Sequence, residues 1–82
     1  MKPKLVLLTR PGCGLCEELE VELTGHFGTG AFDLTQADVD SREDWRRRYG
    51  LKIPVLLTGD GELLCSVRLD VETVADYLKA SP

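Results

Sequence analysis

Apolar residues change their spacing along the chain, and the changes predict its elements. Lys4-Leu5-Val6-Leu7-Leu8-Thr9 is a short apolar run broken by Arg10-Pro11-Gly12, which reads as a buried strand. From Leu15 the spacing turns helical. Leu15, Cys16, Leu19 and Leu23 fall within one stripe about 100° wide, with Glu17, Glu18, Glu20 and Glu22 interleaved among them. Three glycines between Thr24 and Gly30 predict a loop, with His26 on its surface. Ala31 to Val39 alternates through Phe32-Asp33-Leu34-Thr35, as suits an edge strand with one solvated face.

Ser41 reads as the N-cap of a short second helix, with Asp44 in a capping-box position. Trp45 and Tyr49 share one half-buried face of that helix, Asp44 pairs with Arg48, and Gly50 is the stop. Proline cannot donate to a sheet ladder, so Pro54 stands ahead of a strand over Val55–Thr58. Gly59-Asp60-Gly61 turns the chain into a partner strand, Glu62–Leu69, with Leu63, Cys65, Val67 and Leu69 on one face. Cys65 is then a buried apolar filler. Asp70 caps a last helix with the stripe Val71, Val74 and Leu78, ending at Ser81-Pro82. The order is β-α-β-α-β-β-α, an α/β chain whose first βαβ is a right-handed parallel crossover and whose closing hairpin is antiparallel.

The candidate chemistry lies at the first strand-to-helix junction, Cys13-Gly14-Leu15-Cys16. Two thiols spaced C-x-x-C at a helix start lie within disulfide reach, the first at the positive end of the helix dipole. The wheel sends Cys16 toward the core and leaves Cys13 at the helix edge, near solvent and free N–H groups. Cys13 is therefore expected to attack and Cys16 to resolve. Arg10 is expected to fold over Cys13 and assist the helix in lowering its pKa, against the opposing carboxylate of Glu17. A structural zinc site is the competing reading, with Cys65 and His26 completing the ligands. It is disfavoured because neither has a second ligand beside it and the C-x-x-C opens a helix.

Composition narrows the field. Eighty-two residues predict one domain spanning 1–82, and a net charge of −4 argues against nucleic acid. Arg46-Arg47-Arg48 reads as a solvated helix face. No segment approaches a membrane span, and Leu5 to Leu8 is too short for a signal peptide. Three cysteines, an odd number, suit catalytic use in the cytoplasm better than a disulfide framework. A monomer is the default.

Three stretches carry a resemblance over essentially the whole chain: Thr9-Arg10-Pro11-Gly12-Cys13-Gly14-Leu15-Cys16-Glu17-Glu18, Tyr49-Gly50-Leu51-Lys52-Ile53-Pro54-Val55-Leu56, and Asp60-Gly61-Glu62-Leu63. With these, the chain resembles the glutaredoxin-like branch of the thioredoxin superfamily, in particular its short bacterial members. The resemblance implies a thioredoxin-like (glutaredoxin) fold, with a four-stranded mixed sheet flanked by three helices. It implies a thiol–disulfide oxidoreductase acting on protein or glutathione mixed disulfides, with glutathione as a possible co-substrate and no resident cofactor or metal. It implies a cis Ile53-Pro54 bond and a substrate strand paired with the backbone of Ile53. Arg10 would meet a glutathione carboxylate and Asp70 its amino group, while Gly12, Gly14 and Leu15 would line the same cleft. The chain departs from the pattern in having Gly14-Leu15 between its cysteines where a proline and an aromatic are usual. Val67-Arg68-Leu69-Asp70 replaces a Gly-Gly pair that helps hold glutathione, and Gly12 stands where thioredoxins have tryptophan. These departures keep two other readings in view, a metal or iron–sulfur carrier using Cys13 and Cys16, and a non-catalytic binding module.

Overall fold

The structure, a computed structural model, describes residues 2–80. Strand β1 (Lys4–Thr9) leads to helix α1 (Gly14–Phe27), strand β2 (Asp33–Asp38), a 3-10 turn (Val39–Ser41) and helix α2 (Glu43–Tyr49). Strands β3 (Val55–Thr58) and β4 (Leu63–Ser66) and helix α3 (Val71–Ala80) follow. The sheet order is β2-β1-β3-β4, with β1 parallel to β2 and antiparallel to β3. This is the α/β arrangement that the order of elements predicts and the thioredoxin-like fold that the resemblance implied. The predicted end of the last helix at Ser81-Pro82 lies outside the described residues.

Alternation along the central strands divides the core in two. Leu5, Leu7, Leu56 and Cys65 point to the face covered by Leu19 and Leu23 of α1 and Val74 of α3. Leu8, Val55 and Leu57 point the other way, where Val39 is buried with them and Trp45, Tyr49 and Ile53 pack against the cluster. Both faces of β1 and β3 are thus covered, which is why their sequences are continuous apolar runs. Tyr77 of α3 ties the first cluster to β1 through its hydroxyl, which donates to Lys4 O at 3.0 Å.

Three elements depart from expectation. Helix α1 runs through Thr24-Gly25-His26-Phe27 instead of ending before them, because Phe27 packs against the core one turn beyond Leu23. The stop is Gly28, at φ +79°, whose N–H donates to Thr24 O at 2.8 Å. His26 is exposed on the last turn of that helix, not in a loop.

Helix α2 begins after Arg42 with no side-chain cap. Ser41 belongs to the preceding 3-10 turn, where its hydroxyl donates to Asp38 O at 2.6 Å, and the Asp38 carboxylate accepts the N–H of Asp40. Asp44 pairs with Arg42 rather than Arg48, accepting from its Nε at 3.0 Å and Nη2 at 2.8 Å. Gly50 follows α2 as expected but at an ordinary helical φ of −56°. Space explains it: a Cβ there would stand 2.5 Å from Arg46 O.

Strand β4 is shorter than predicted, and its faces are reset by a register shift. Leu56 pairs with Cys65 but Leu57 pairs with Leu63, so Leu64 is an extra residue bulging between them. The bulge turns Leu63 to the opposite face from Cys65 and leaves it 54% exposed. Leu64 packs against the first cluster instead. Val67 ends the strand at φ +69° and is exposed, not on the buried face.

Leu56 lies at the centre of the first cluster and is fully buried. Leu56→Ala is expected to destabilise the fold by about 2–5 kcal/mol, read as a lower urea midpoint. A midpoint unchanged from wild type would show that this face is not packed as described.

Candidate active site at the end of β1

Strand β1 delivers the chain into a tight turn, Arg10-Pro11-Gly12, that reverses into α1. Gly12 takes φ +80°, a conformation glycine adopts without strain. The turn is closed by the N–H of Cys13, which donates to Arg10 O at 3.1 Å. Cys13 is the N-cap of α1, and its Sγ accepts the N–H of Cys16 at 3.1 Å. The two cysteines form a disulfide with Cα atoms 5.3 Å apart. Cys16 is 3% exposed while Cys13 is half-buried, the asymmetry predicted from the helix wheel.

Cys13 opens on a cleft of about 280 Å³ that it shares with Arg10, Gly12, Glu17, Glu20 and Asp38. Open space surrounds Gly12 and Gly14, with nothing within 4 Å of a Cβ built at either. Leu15 does not join the core as expected; it is 52% exposed. Cys16, Leu19 and Leu23 span only about 60° at 100° per residue, and Leu15 falls outside their stripe. It lines a second groove with Leu19, Val67 and Leu69, edged by Glu18 and Arg68.

Pro54 enters the sheet at the same end, since Val55 pairs with Leu8. The Ile53-Pro54 bond is cis, as the resemblance implied. Pro54 is buried and Ile53 half-buried. The loop is fastened to the end of β4, with Val67 N donating to Pro54 O at 2.7 Å and Ser66 Oγ to Lys52 O at 2.6 Å. Asp70 caps α3, accepting from Thr73 N at 3.1 Å and Thr73 Oγ1 at 2.8 Å. Those bonds from Thr73 hold its carboxyl below the usual carboxylate range.

Arg10 lines the cleft with Cys13, but its guanidinium is bonded to two other groups. Its Nε and Nη2 donate to the two oxygens of Asp40 at 2.9 Å each, and its Nη1 donates to Gly50 O at 3.0 Å. A planar guanidinium fits a carboxylate in this two-bond fork, and the uncharged disulfide offers nothing comparable. The hydrogen bond from Arg10 holds the Asp40 carboxyl low and raises Arg10 in turn. Asp40 is the residue the sequence reading missed. The signal for it is register: β1 and β2 pair Thr9 with Asp38, which brings Asp40 alongside Arg10.

Cys65 is a free, buried thiol opposite Leu56, and burial pushes its pKa up. The structure places it in the core and His26 at the far end of α1, so the two do not complete a site with Cys13 and Cys16. Among the described residues, no three His, Cys, Asp or Glu side chains are grouped to hold a metal ion. No helix among them is long and apolar enough to cross a membrane.

Comparison with known proteins agrees with this geometry. The profile of the family described as Glutaredoxin-like domain (DUF836) matches residues 4–79. A Nitrosomonas europaea protein solved by solution NMR is 32% identical, with a TM-score of 0.82 over 94% of this chain and 92% of its own. An X. campestris protein in an X-ray structure is 29% identical, with a TM-score of 0.64 over 95% and 99% of the two chains. A mutant thioredoxin from Halobacterium salinarum shares the fold at 23% identity and a TM-score of 0.59, over 96% and 74%. No curated protein matches.

The Arg10–Asp40 fork has a pH signature. Asp40 titrates below its ordinary 3.8, so the stabilisation is complete above that value and is lost as pH falls through the lowered one. Carboxyl NMR is expected to give a midpoint under 3.8 for Asp40, returning toward it in Arg10→Gln. A wild-type midpoint at 3.8 or higher would mean the fork does not form in solution.

Proposed function

The chain belongs to the glutaredoxin-like domain family, and from that premise we propose that it is a thiol–disulfide oxidoreductase with Cys13 as nucleophile and Cys16 as resolving thiol. The observation that carries this reading is the N–H of Cys16 aimed at Cys13 Sγ from the first turn of a 14-residue helix. In the reduced protein the same donor and the helix terminus stabilise a thiolate. An ordinary cysteine, with a pKa of about 8.5, is only a few per cent ionised at pH 7. A helix terminus contributes about 0.3–2 kcal/mol, which lowers that pKa by roughly 0.2–1.5.

The reaction has two exchanges. The Cys13 thiolate attacks one sulfur of a substrate disulfide, forming a Cys13–substrate disulfide and releasing the other substrate sulfur as a thiolate that takes up a proton. Cys16, having lost its own proton, then attacks Cys13 Sγ. The Cys13–Cys16 disulfide forms, and the second substrate sulfur leaves and is protonated. The substrate gains two electrons and two protons and the protein dithiol loses them. A dithiol, or two molecules of a low-molecular-weight thiol, reduces the protein disulfide to complete the cycle.

Substrates are protein disulfides or glutathione mixed disulfides. Gly12 and Gly14 leave the approach to Cys13 clear, and the backbone of Ile53, beside the buried Pro54 at the same end of the sheet, is the proposed pairing edge for a substrate strand. The exposed Leu15 and Val67 offer apolar contact to a peptide beside the disulfide. Asp40 and Gly50 take three of the five N–H groups of Arg10 and Asp40 pairs its charge, which weakens any hold on a glutathione carboxylate, and Val67-Arg68-Leu69 is bulkier than a glycine pair. Both favour a protein disulfide over glutathione. Asp70 keeps lone pairs with which to receive an ammonium group beside its helix cap. The proposed setting is the reducing cytoplasm, with the protein working as a monomer.

Cys13→Ser is expected to abolish reduction of a disulfide peptide. Cys16→Ser is expected to stall after the first exchange and accumulate a peptide–Cys13 mixed disulfide, visible as an added mass. Full activity in Cys13→Ser would sink the assignment.

A further inference from the structure

Arg10 joins parts of the chain that are far apart in sequence. Its side chain holds Asp40 in the turn after β2 and the carbonyl of Gly50 at the end of α2, four residues before Pro54. Its own carbonyl accepts the N–H of Cys13. One residue therefore fastens the turn bearing the nucleophilic sulfur to the segment leading to the cis Ile53-Pro54 bond.

The pairing also governs charge. Arg10 lines the cleft with Cys13, where the other charged groups are Glu17 and Glu20 from α1 and Asp38 from β2. Arg10 is the one cation among the described residues of that lining. A lone guanidinium there would draw a thiolate, but in a fork with a carboxylate it presents a short dipole whose field decays faster than that of a single charge.

We propose that Asp40 is a positioning residue for thiol–disulfide exchange. It clamps the Cys13 turn to the segment leading to Pro54, and it withholds the charge of Arg10 from the sulfur. The proposal rests on the thiol–disulfide reading above. Asp40 does not touch substrate; it acts through Arg10. The two side chains are 38% and 42% exposed, so the pair adds little to stability and variants lacking it keep the fold.

Asp40→Ala, Arg10→Gln and the double substitution separate the two effects, with thermal melts to verify folding. In reduced protein, iodoacetamide alkylation against pH with peptide mapping gives the midpoint for Cys13. Asp40→Ala leaves Arg10 opposed only by Asp38 and lowers that midpoint by about half a unit; Arg10→Gln leaves Asp40 opposed only by Arg46 and raises it by about as much. The double variant returns to the wild-type midpoint. Its turnover of a fluorescent disulfide peptide, with dithiothreitol as donor, nevertheless stays down about fivefold because the clamp is gone.

A double variant whose midpoint rises as in Arg10→Gln would show that Arg10 acts on the sulfur directly, and would overturn the proposal. So would a double variant with wild-type turnover. A wild-type protein that does not turn over the peptide overturns the underlying reading together with the proposal, and so is distinguishable from failure of the proposal alone.

Discussion

Strand β1 is hydrogen-bonded along both edges and buried on both faces, and every feature of the cysteine site is referred to it. Parallel pairing fixes Thr9 against Asp38 of β2, and antiparallel pairing fixes Leu8 against Val55 of β3. Leu5, Leu7 and Leu8 are fully buried, and each such side chain contributes roughly 1.5–3 kcal/mol relative to exposure. With the strand held this way, the turn after it starts from a defined point. Cys13 is four residues beyond Thr9, and Pro54 is the residue before Val55. The sulfur and the cis proline therefore lie at the same end of the sheet by pairing register.

The chemistry follows from the difference between two thiols one helical turn apart. Cys16 has the core behind it, whereas Cys13 borders an open cleft and takes the N–H of Cys16 on its sulfur. The charges around the cleft do little to help an anion. Among the described residues Glu17, Glu20 and Asp38 line it, and the guanidinium that would oppose them is matched by Asp40. On the proposed reading, activation of Cys13 falls to the helix terminus and the N–H of Cys16. A nucleophile of intermediate pKa suits exchange near neutral pH, because intrinsic nucleophilicity falls as the thiolate becomes more stable.

Features governed by short-range patterning were legible in the sequence. The apolar runs Leu5–Leu8 and Val55–Leu57, the breaker Pro11-Gly12, the C-x-x-C and the cap at Asp70 all depend on neighbours within a few residues. Misreadings arose where a tertiary contact outweighed local preference. The glycine-rich stretch from Thr24 to Gly30 looked like a loop, but Phe27 had a place in the core and carried α1 on to Gly28. Ser41 looked like a cap, but Asp38 organised the turn before it. The alternation of β4 looked regular because a bulge at Leu64 is a property of pairing with β3 and is not marked by glycine or proline. Arg10 looked like an activator of Cys13 because its partner lies 30 residues away and only the β1–β2 register brings it near.

The central claim is that Cys13 and Cys16 form a redox couple that cycles, as opposed to a bridge that only staples the turn. Equilibrating the protein in thiol–disulfide buffers and counting oxidised Cys13–Cys16 by mass spectrometry tests it most directly. The account predicts a single two-electron transition between about −270 and −120 mV, the span of thioredoxin-like oxidoreductases, with Cys65 unmodified throughout. A pair that stays oxidised to below about −300 mV, as structural disulfides do, would contradict it.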